Sequence, residues 1–321
     1  MSRSVSATSM RALSRSVRSV TFAVAALIVI GSPSRLRGQS GDAAREMFNS
    51  IEWTDGPGMG RLGKEARLLV TEGCRFTEAK GARTFMELTE NTPSGNELGL
   101  LLCETEPEGN PLEAETWFVV FDYDPSGYVK DDEKETLDGD AILATLREGQ
   151  AMGNKERRRR GWVELTIDGW IRPPYYDSTT NNLTWSVSVS ADGDTTVNHS
   201  VRLLGRGGVM KADLVTGTSA FALALPKFDD VIAGTSFVPG RTYAEWREGD
   251  KVAAYGLTAL VAGGAGAAAM KLGLFGKLWK LIATAPAAAG KFIIVAIVAA
   301  GAWIRSLFAG KSKEPTGTSS A

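Results

Sequence analysis

Leu183-Thr-Trp-Ser-Val-Ser-Val-Ser190, then Ala191-Asp-Gly-Asp194, then Val197-Asn-His-Ser-Val-Arg-Leu-Leu204 read as two strands around a tight turn. Asp-Gly between two runs rich in Val, Thr and aromatics is a hairpin signal. Working outward, 162–170 and 208–216 have the same strand character, so four short strands follow one another. Before them, helices and strands alternate. The resulting fold class is α+β: a mixed, largely antiparallel sheet domain followed by C-terminal transmembrane helices. The chain shows no internal repeat and no low-complexity linker.

Upstream, 42–50 reads as a short helix that stops before the Gly-rich turn Asp55-Gly-Pro-Gly-Met-Gly60. Arg67–Val70 reads as a strand. Thr77 is expected to cap a helix running to about Glu90, and Asn91-Thr-Pro-Ser-Gly95 ends it. Leu98–Cys103 and Thr116–Phe121 are apolar and β-branched runs of strand length. A helix is expected over 138–157, with Ile142, Leu143 and Leu146 on one face. Its basic end, Lys155–Arg160, stands just before Gly161, as C-terminal helix chemistry favours. Pro226–Ala233 reads as a short helix.

The 321 residues carry 36 Lys+Arg and 37 Asp+Glu, a formal net charge of −1. That average hides three parts. Residues 1–38 hold six arginines and no acid, residues 39–250 hold 22 bases and 36 acids, and residues 251–321 hold eight bases and one acid. An acidic centre between basic ends indicates targeting or membrane segments at the ends. At the start, a Ser/Arg-rich region precedes the apolar run Val20–Ile30 and then Gly-Ser-Pro-Ser34, the layout of a secretory signal peptide. The alternative is an uncleaved N-terminal anchor. At the other end, Val252–Met270 is uncharged and rich in Gly and Ala, and Phe292–Ile304 is a stronger apolar run. A bilayer core of about 30 Å needs about 20 helical residues.

These features divide the chain into a signal peptide (1–38), an extracytoplasmic α+β domain (39–250), a membrane helical hairpin (251–310) and a polar tail (311–321). The Lys-rich connection between the two apolar runs would face the cytoplasm under the positive-inside rule. The alternative is one span near 286–308. Close small residues in the Gly/Ala-rich helix favour packing with another membrane protein. The expected partners are therefore the lipid bilayer and such a membrane protein, not nucleic acid. The expected location is a bacterial inner membrane, with residues 39–250 outside the cytoplasm.

One histidine and two cysteines exclude a His/Cys zinc cluster and a haem motif. The sharpest local pattern is Asp122-Tyr-Asp-Pro-Ser-Gly127 through Glu133, with the spacing of a calcium loop: oxygens at one, three and five, Gly at six, Glu at twelve. Against it, a strand rather than a helix leads in, and Lys130 sits among the ligand positions. Arg157–Arg160 is read as a solvated helix end, or as a contact with anionic lipid or acidic residues. A disulfide between Cys74 and Cys103 is feasible in an oxidising compartment. His199 falls within a strand. The paired carboxylates Asp131/Asp132 and Asp229/Asp230 are adjacent in sequence, so neither pair naturally converges on one substrate.

Several longer strings carry a family resemblance. They include Gly127-Tyr-Val-Lys-Asp-Asp132, Gly153-Asn-Lys-Glu156, Gly169-Trp170, Pro173-Pro-Tyr-Tyr-Asp177, Asn182-Leu-Thr-Trp185, Asn198, Arg202-Leu-Leu-Gly-Arg206, Arg241-Thr-Tyr-Ala-Glu245 and Gly249–Leu257. On these the chain resembles the bacterial predicted membrane-anchored proteins catalogued as domain of unknown function 2167, over roughly 45–310. The resemblance implies an exported domain with C-terminal membrane helices. It implies no activity, and hence no catalytic residue.

The reading that follows is a membrane-anchored envelope protein serving as a protein-interaction or scaffold module, with no catalytic, cofactor or metal site assigned. The alternatives are an envelope hydrolase working around Tyr175-Tyr176-Asp177, or a calcium-binding module using the 122–133 loop. A cleft gathering Asp177, Asn198 and Arg202 would favour the hydrolase.

Overall fold

The computed structural model describes residues 40–104 and 116–263. The expected signal peptide, the apolar run 292–304, the lysines between the two runs and the tail 311–321 lie outside the described residues. Helix α1 (Ser40–Asn49) leads into strands β1 (Thr54–Asp55), β2 (Gly58–Leu62), β3 (Ala66–Val70) and β4 (Cys74–Glu78). Helix α2 (Ala79–Leu88) joins β4 to β5 (Glu97–Glu104), and β6 (Thr116–Asp124) follows. Helix α3 (Gly139–Arg159) precedes β7 (Thr166–Asp177), β8 (Asn182–Ala191), β9 (Asp194–Leu204) and β10 (Val209–Gly217). Helix α4 (Phe221–Ala233), β11 (Ser236–Phe237), a 3-10 turn (Tyr243–Glu245) and helix α5 (Leu257–Val261) complete the order.

Eight strands form one sheet in the order β1-β4-β5-β6-β10-β9-β8-β7, and β11-β3-β2 form a second. Every strand pair is antiparallel. The chain leaves the centre of the large sheet after β6, crosses by α3 to the far edge at β7, and returns by hairpins until β10 closes on β6. The β8–β9 hairpin is the one expected from 191–194, and its turn holds Asp192 at φ 52° and Gly193 at φ 92°.

Both faces of the sheet are covered. On one face α2 places Ala82, Phe85 and Met86 over Leu100, Leu102, Phe118 and Val120, with the Phe85 and Phe118 rings 5.1 Å apart. The i, i+3, i+4 spacing of those helix residues is what makes the stripe. Further along the same face α3 packs over β7 and β8. Its stripe starts apolar at Ile142 and Leu146 and ends polar at Gln150, Asn154 and Arg157, all buried. Asn154 behaves there like a strand neighbour: its Nδ2 donates to the Leu165 carbonyl (2.8 Å) and its Oδ1 accepts from the Leu165 amide (3.0 Å). The opposite face is covered by the small sheet and α4, whose Ala224, Phe228 and Val231 are fully buried. Phe76 locks the two sheets together. A Cβ on Gly60 would stand 3.0 Å from its ring and one on Gly99 only 2.5 Å, so both neighbours must be glycine.

Four expectations need correction. Thr77 does not cap α2: it is buried in β4, and Glu78 holds the N-cap position. The 55–60 turn contains the start of β2. Helix α4 begins at Phe221 and carries Pro226 inside it, where the proline had suggested a helix start. The domain boundary at 250 moves as well. Tyr128 donates its amide to the Lys251 carbonyl, and its own carbonyl accepts from Ala253, both at 2.8 Å. The Glu133 carboxylate accepts from the Thr258 amide (2.7 Å) at the start of α5, and Leu257, Leu260 and Val261 are buried in the α3-side core. The described part of the 252–270 run is therefore a bridge, a bend and a five-residue helix inside the domain. No helix among the described residues is long and apolar enough to cross a membrane.

Cys74 and Cys103 face each other across β4 and β5 and form a disulfide, their Cα atoms 4.2 Å apart and 29 residues apart in sequence. Closing a loop of that length removes unfolded-chain entropy worth about 3–4 kcal/mol. Guanidinium unfolding with and without dithiothreitol should show a loss of that order. Leu260→Ala should cost about 2–5 kcal/mol by leaving a cavity. A cost below about 0.5 kcal/mol would place α5 outside the core.

Candidate functional site

A cleft of about 530 Å³ opens on the α4 side of the large sheet. Its floor is Thr184, His199, Val201 and Leu203 of β8 and β9. One wall is the end of α4 with β11, through Asp229, Ile232 and Phe237. The other wall is the end of β7, through Arg172, Tyr175 and Asp177, and the 3-10 turn closes one end with Thr242 and Tyr243.

The β7 wall depends on an irregularity. Arg172 pairs with Ser186 and Tyr175 with Thr184, so three steps along β7 match two along β8. In a regular strand residues three apart point to opposite faces. The extra residue, at Pro173-Pro174, turns Arg172 and Tyr175 to the same face. Prolines are tolerated there because β7 is an edge strand with no outer partner for their missing N–H. The Arg172 guanidinium lies 5.9 Å from the Tyr175 ring centroid, and Tyr175 is 44% exposed.

Asp177 serves the turn beneath it. Its carboxylate accepts from the Thr179 amide (2.8 Å) and the Thr180 hydroxyl (2.9 Å), which hold it below the usual carboxylate range. Asp229 is pushed upward by burial, with Arg172 opposing. Tyr176 points to the other face and donates to Asn181 Oδ1 (3.2 Å). On the floor, the Ser186 hydroxyl and His199 Nδ1 are 2.7 Å apart across the hairpin. Burial, then the nearby Arg172, pushes the imidazole down to about 4, so it is neutral at ordinary pH. Ser186 is 1% exposed, and Phe228 stands edge-on to the His199 ring at 5.3 Å. This is a sealed cross-strand hydrogen bond rather than an exposed nucleophile and base.

The constellation Asp177, Asn198 and Arg202 is not assembled. Residues 198 and 202 alternate with 199, 201 and 203 along β9, so they face α3 while the cleft lies on the α4 side. Arg202 stacks 4.6 Å from the Trp185 ring centroid and donates to Asp213 at 2.8 Å. Of the residues expected for a hydrolase, the cleft receives Tyr175 and Asp177 only.

The 122–133 loop does not converge on a cation. Asp122 accepts from Ser94 (3.1 Å), Asp124 from the Tyr255 hydroxyl (2.7 Å) and Glu133 from the α5 backbone. Among the described residues no three His, Cys, Asp or Glu are placed to share a metal ion. Each arginine of 157–160 has an acidic partner. Arg157 pairs with Glu90, Arg158 with Glu164, and Arg159 and Arg160 with Glu156. Arg157 is also buried, donating to the Glu90 carbonyl (2.8 Å), so it is not part of a solvated helix end.

Sequence reasoning did not single out Arg172, Thr184 or Ser186. For Thr184 and Ser186 the signal was the hairpin itself: once the turn sits at 191–194, residues equidistant from it must pair; Arg172 had no such signal, because an irregular β7–β8 register places it. The description "Protein of unknown function (DUF2167)" belongs to the family model that matches residues 54–301. No curated protein matches the chain. Among solved structures, the solution structure of cyanobacterial PsbP (CyanoP) from Synechocystis sp. PCC 6803 is 12% identical, covering 59% of this chain and 93% of that one, at a TM-score of 0.34.

The buried imidazole has a pH consequence. The fold holds His199 neutral down to about pH 4, whereas the unfolded chain takes up the proton below about 6.5. Its contribution is therefore lost as pH falls from about 6.5 to 4, by up to about 3 kcal/mol. Asp122, which burial raises from 3.8 to about 6, runs oppositely and gains stability as pH falls through that window. His199→Gln isolates the first effect. The stability advantage of the wild type over the variant should shrink between pH 6.5 and 4, and an unchanged difference would refute it.

Proposed function

The chain belongs to the DUF2167 family of proteins of unknown function, and on that premise we propose that it is an exported, membrane-tethered binding module of the bacterial envelope. The cleft carries this reading. It combines a floor of Val201 and Leu203 beside Thr184 and His199 with a rim of Arg172, Tyr175 and Asp229, the make-up of a binding pocket in which polar groups orient a ligand over apolar surface. The dispersal of Asn198, Arg202 and Tyr176 leaves the hydrolase alternative without its constellation.

The location in the envelope is supported by the arginine-rich start with its apolar run, and by the Cys74–Cys103 bridge, since structural disulfides persist in oxidising compartments. The packing of 252–263 into the domain also bears on the tether. Only 264–270 is left of the first apolar run, too little to span a bilayer alone. That favours the single span near 286–308 over the hairpin. With the domain outside, Lys311 and Lys313 would then lie on the cytoplasmic side, but Lys271, Lys277 and Lys280 would lie outside, so the charge pattern alone does not favour the single span.

Photocrosslinking in native membranes tests the binding reading. A crosslinker at Tyr175 and one at Asp229, on opposite walls, should capture the same partner. One at Glu148, on the α3 side of the sheet, should not. Recovery of the chain alone from both cleft positions would overturn the proposal.

A further inference from the structure

Two opposite charges stand on facing walls of the cleft and do not meet. Arg157, Arg202 and Arg206 hold carboxylates at 3.8, 2.8 and 2.7 Å. Arg172 has no carboxylate at ion-pair distance among the described residues; what it touches is the Tyr175 ring. A guanidinium held against a ring still offers in-plane N–H donors, in a fork that matches a carboxylate. On the other wall, Asp229 has no hydrogen-bond donor and no ion pair among the described residues. The two charges are nonetheless felt across the opening. Arg172 opposes the upward push that burial gives Asp229, and it adds to the downward push on His199 in the floor.

The floor between them carries two more unused polar groups. The Asn182 amide and the Thr184 hydroxyl line the cleft and have no partner among the described residues. Thr184 is only 6% exposed. A polar group buried that deeply is as a rule hydrogen-bonded, and the cleft is the side of the sheet on which Thr184 stands. An amide and a hydroxyl each donate and accept, which is what a peptide group requires of its surroundings. Beside them, Val201 and Leu203 are buried apolar surface.

We infer that the cleft takes a short peptide of two or three residues with free ends: its carboxylate on Arg172, its ammonium on Asp229, its peptide group on Asn182 and Thr184, and its apolar side chains over Val201 and Leu203. This rests on the binding reading above and specifies the ligand. Other ligand chemistries match the groups less well. A fatty acid would leave Asp229 without a cation, and an apolar amine would leave Arg172 without an anion; unmatched charges of this kind are what reject a wrong ligand. A single amino acid brings both charges but no peptide group. It would also fill little of a space of about 530 Å³, which lies in the range of pockets that enclose drug-sized ligands.

The test titrates the purified full chain calorimetrically at neutral pH with Leu-Leu and with Leu-Gly-Leu, two lengths with the same ends. At least one should bind. Blocking its amino end by acetylation, or its carboxyl end as an amide, should weaken binding about fivefold to tenfold, the worth of one charged contact at a partly exposed rim. Arg172→Gln should weaken the free peptide by the same factor and leave the affinity of the amide unchanged. Asp229→Asn should weaken the free peptide and leave the acetylated form unchanged. This pairing of variant with blocked end separates a direct contact from a general disturbance of the cleft. No binding of either peptide, in a chain whose crosslinkers at Tyr175 and Asp229 capture a common macromolecule, overturns the peptide ligand and leaves the binding reading standing. No binding and no capture overturn both. Blocked peptides that bind as well as free ones, or substitutions that weaken every form alike, overturn the assignment of the two ends.

Discussion

The register of the β8–β9 hairpin decides what the rest of the molecule can be. With Ala191 opposite Asp194, each pair outward is fixed, ending with Asn182 opposite Leu203. Strand side chains alternate, so this pairing sends His199, Val201 and Leu203 to the cleft and Asn198, Ser200 and Arg202 under α3. A slip of one residue would exchange the two sets. The φ values of Asp192 and Gly193 are what pin it, because only a residue that tolerates the left-handed region can close so short a connection.

The remainder of the large sheet follows from that hairpin. Strand β10 continues it and pairs with β6, joining the half of the sheet beneath α2 to the half beneath α3. Strand β7 continues it on the other side and ends the sheet. Its two prolines both blunt the edge against further strand addition and turn Arg172 and Tyr175 toward the cleft. One local irregularity thus serves solubility and site geometry together.

Much of this was legible in the sequence. The turn at 191–194, the strands beside it, the α3 helix and the β5 and β6 strands all follow from local chemistry: Asp-Gly, β-branched runs, apolar spacing at three and four. What escaped were elements that owe their existence to tertiary contact. Strand β2 is Gly-Met-Gly-Arg-Leu and has almost no intrinsic preference for a strand. It forms because β3 pairs with it and Phe76 needs the space over Gly60. The cleft was half visible. Tyr175 and Asp177 do line it, but Asn198 and Arg202, polar residues of the family-like strings grouped with Asp177, lie by strand parity on the other side. The Gly/Ala-rich run after 251 looked like a span because uncharged residues suit a protein core as well as a bilayer. Leu257, Leu260 and Val261 took the first option.

That last choice bears on how the domain would take up force. Leu257, Leu260 and Val261 are buried, so the last described helix of the chain is part of the core. Tension applied beyond that point would fall first on the Glu133–Thr258 hydrogen bond and the parallel bridge between Tyr128 and Val252. Both sit on the segment that joins β6 to α3. A pull on the chain beyond 263 would therefore act on the middle of the sheet rather than on a frayed end, through the segment that leads from β6 to α3.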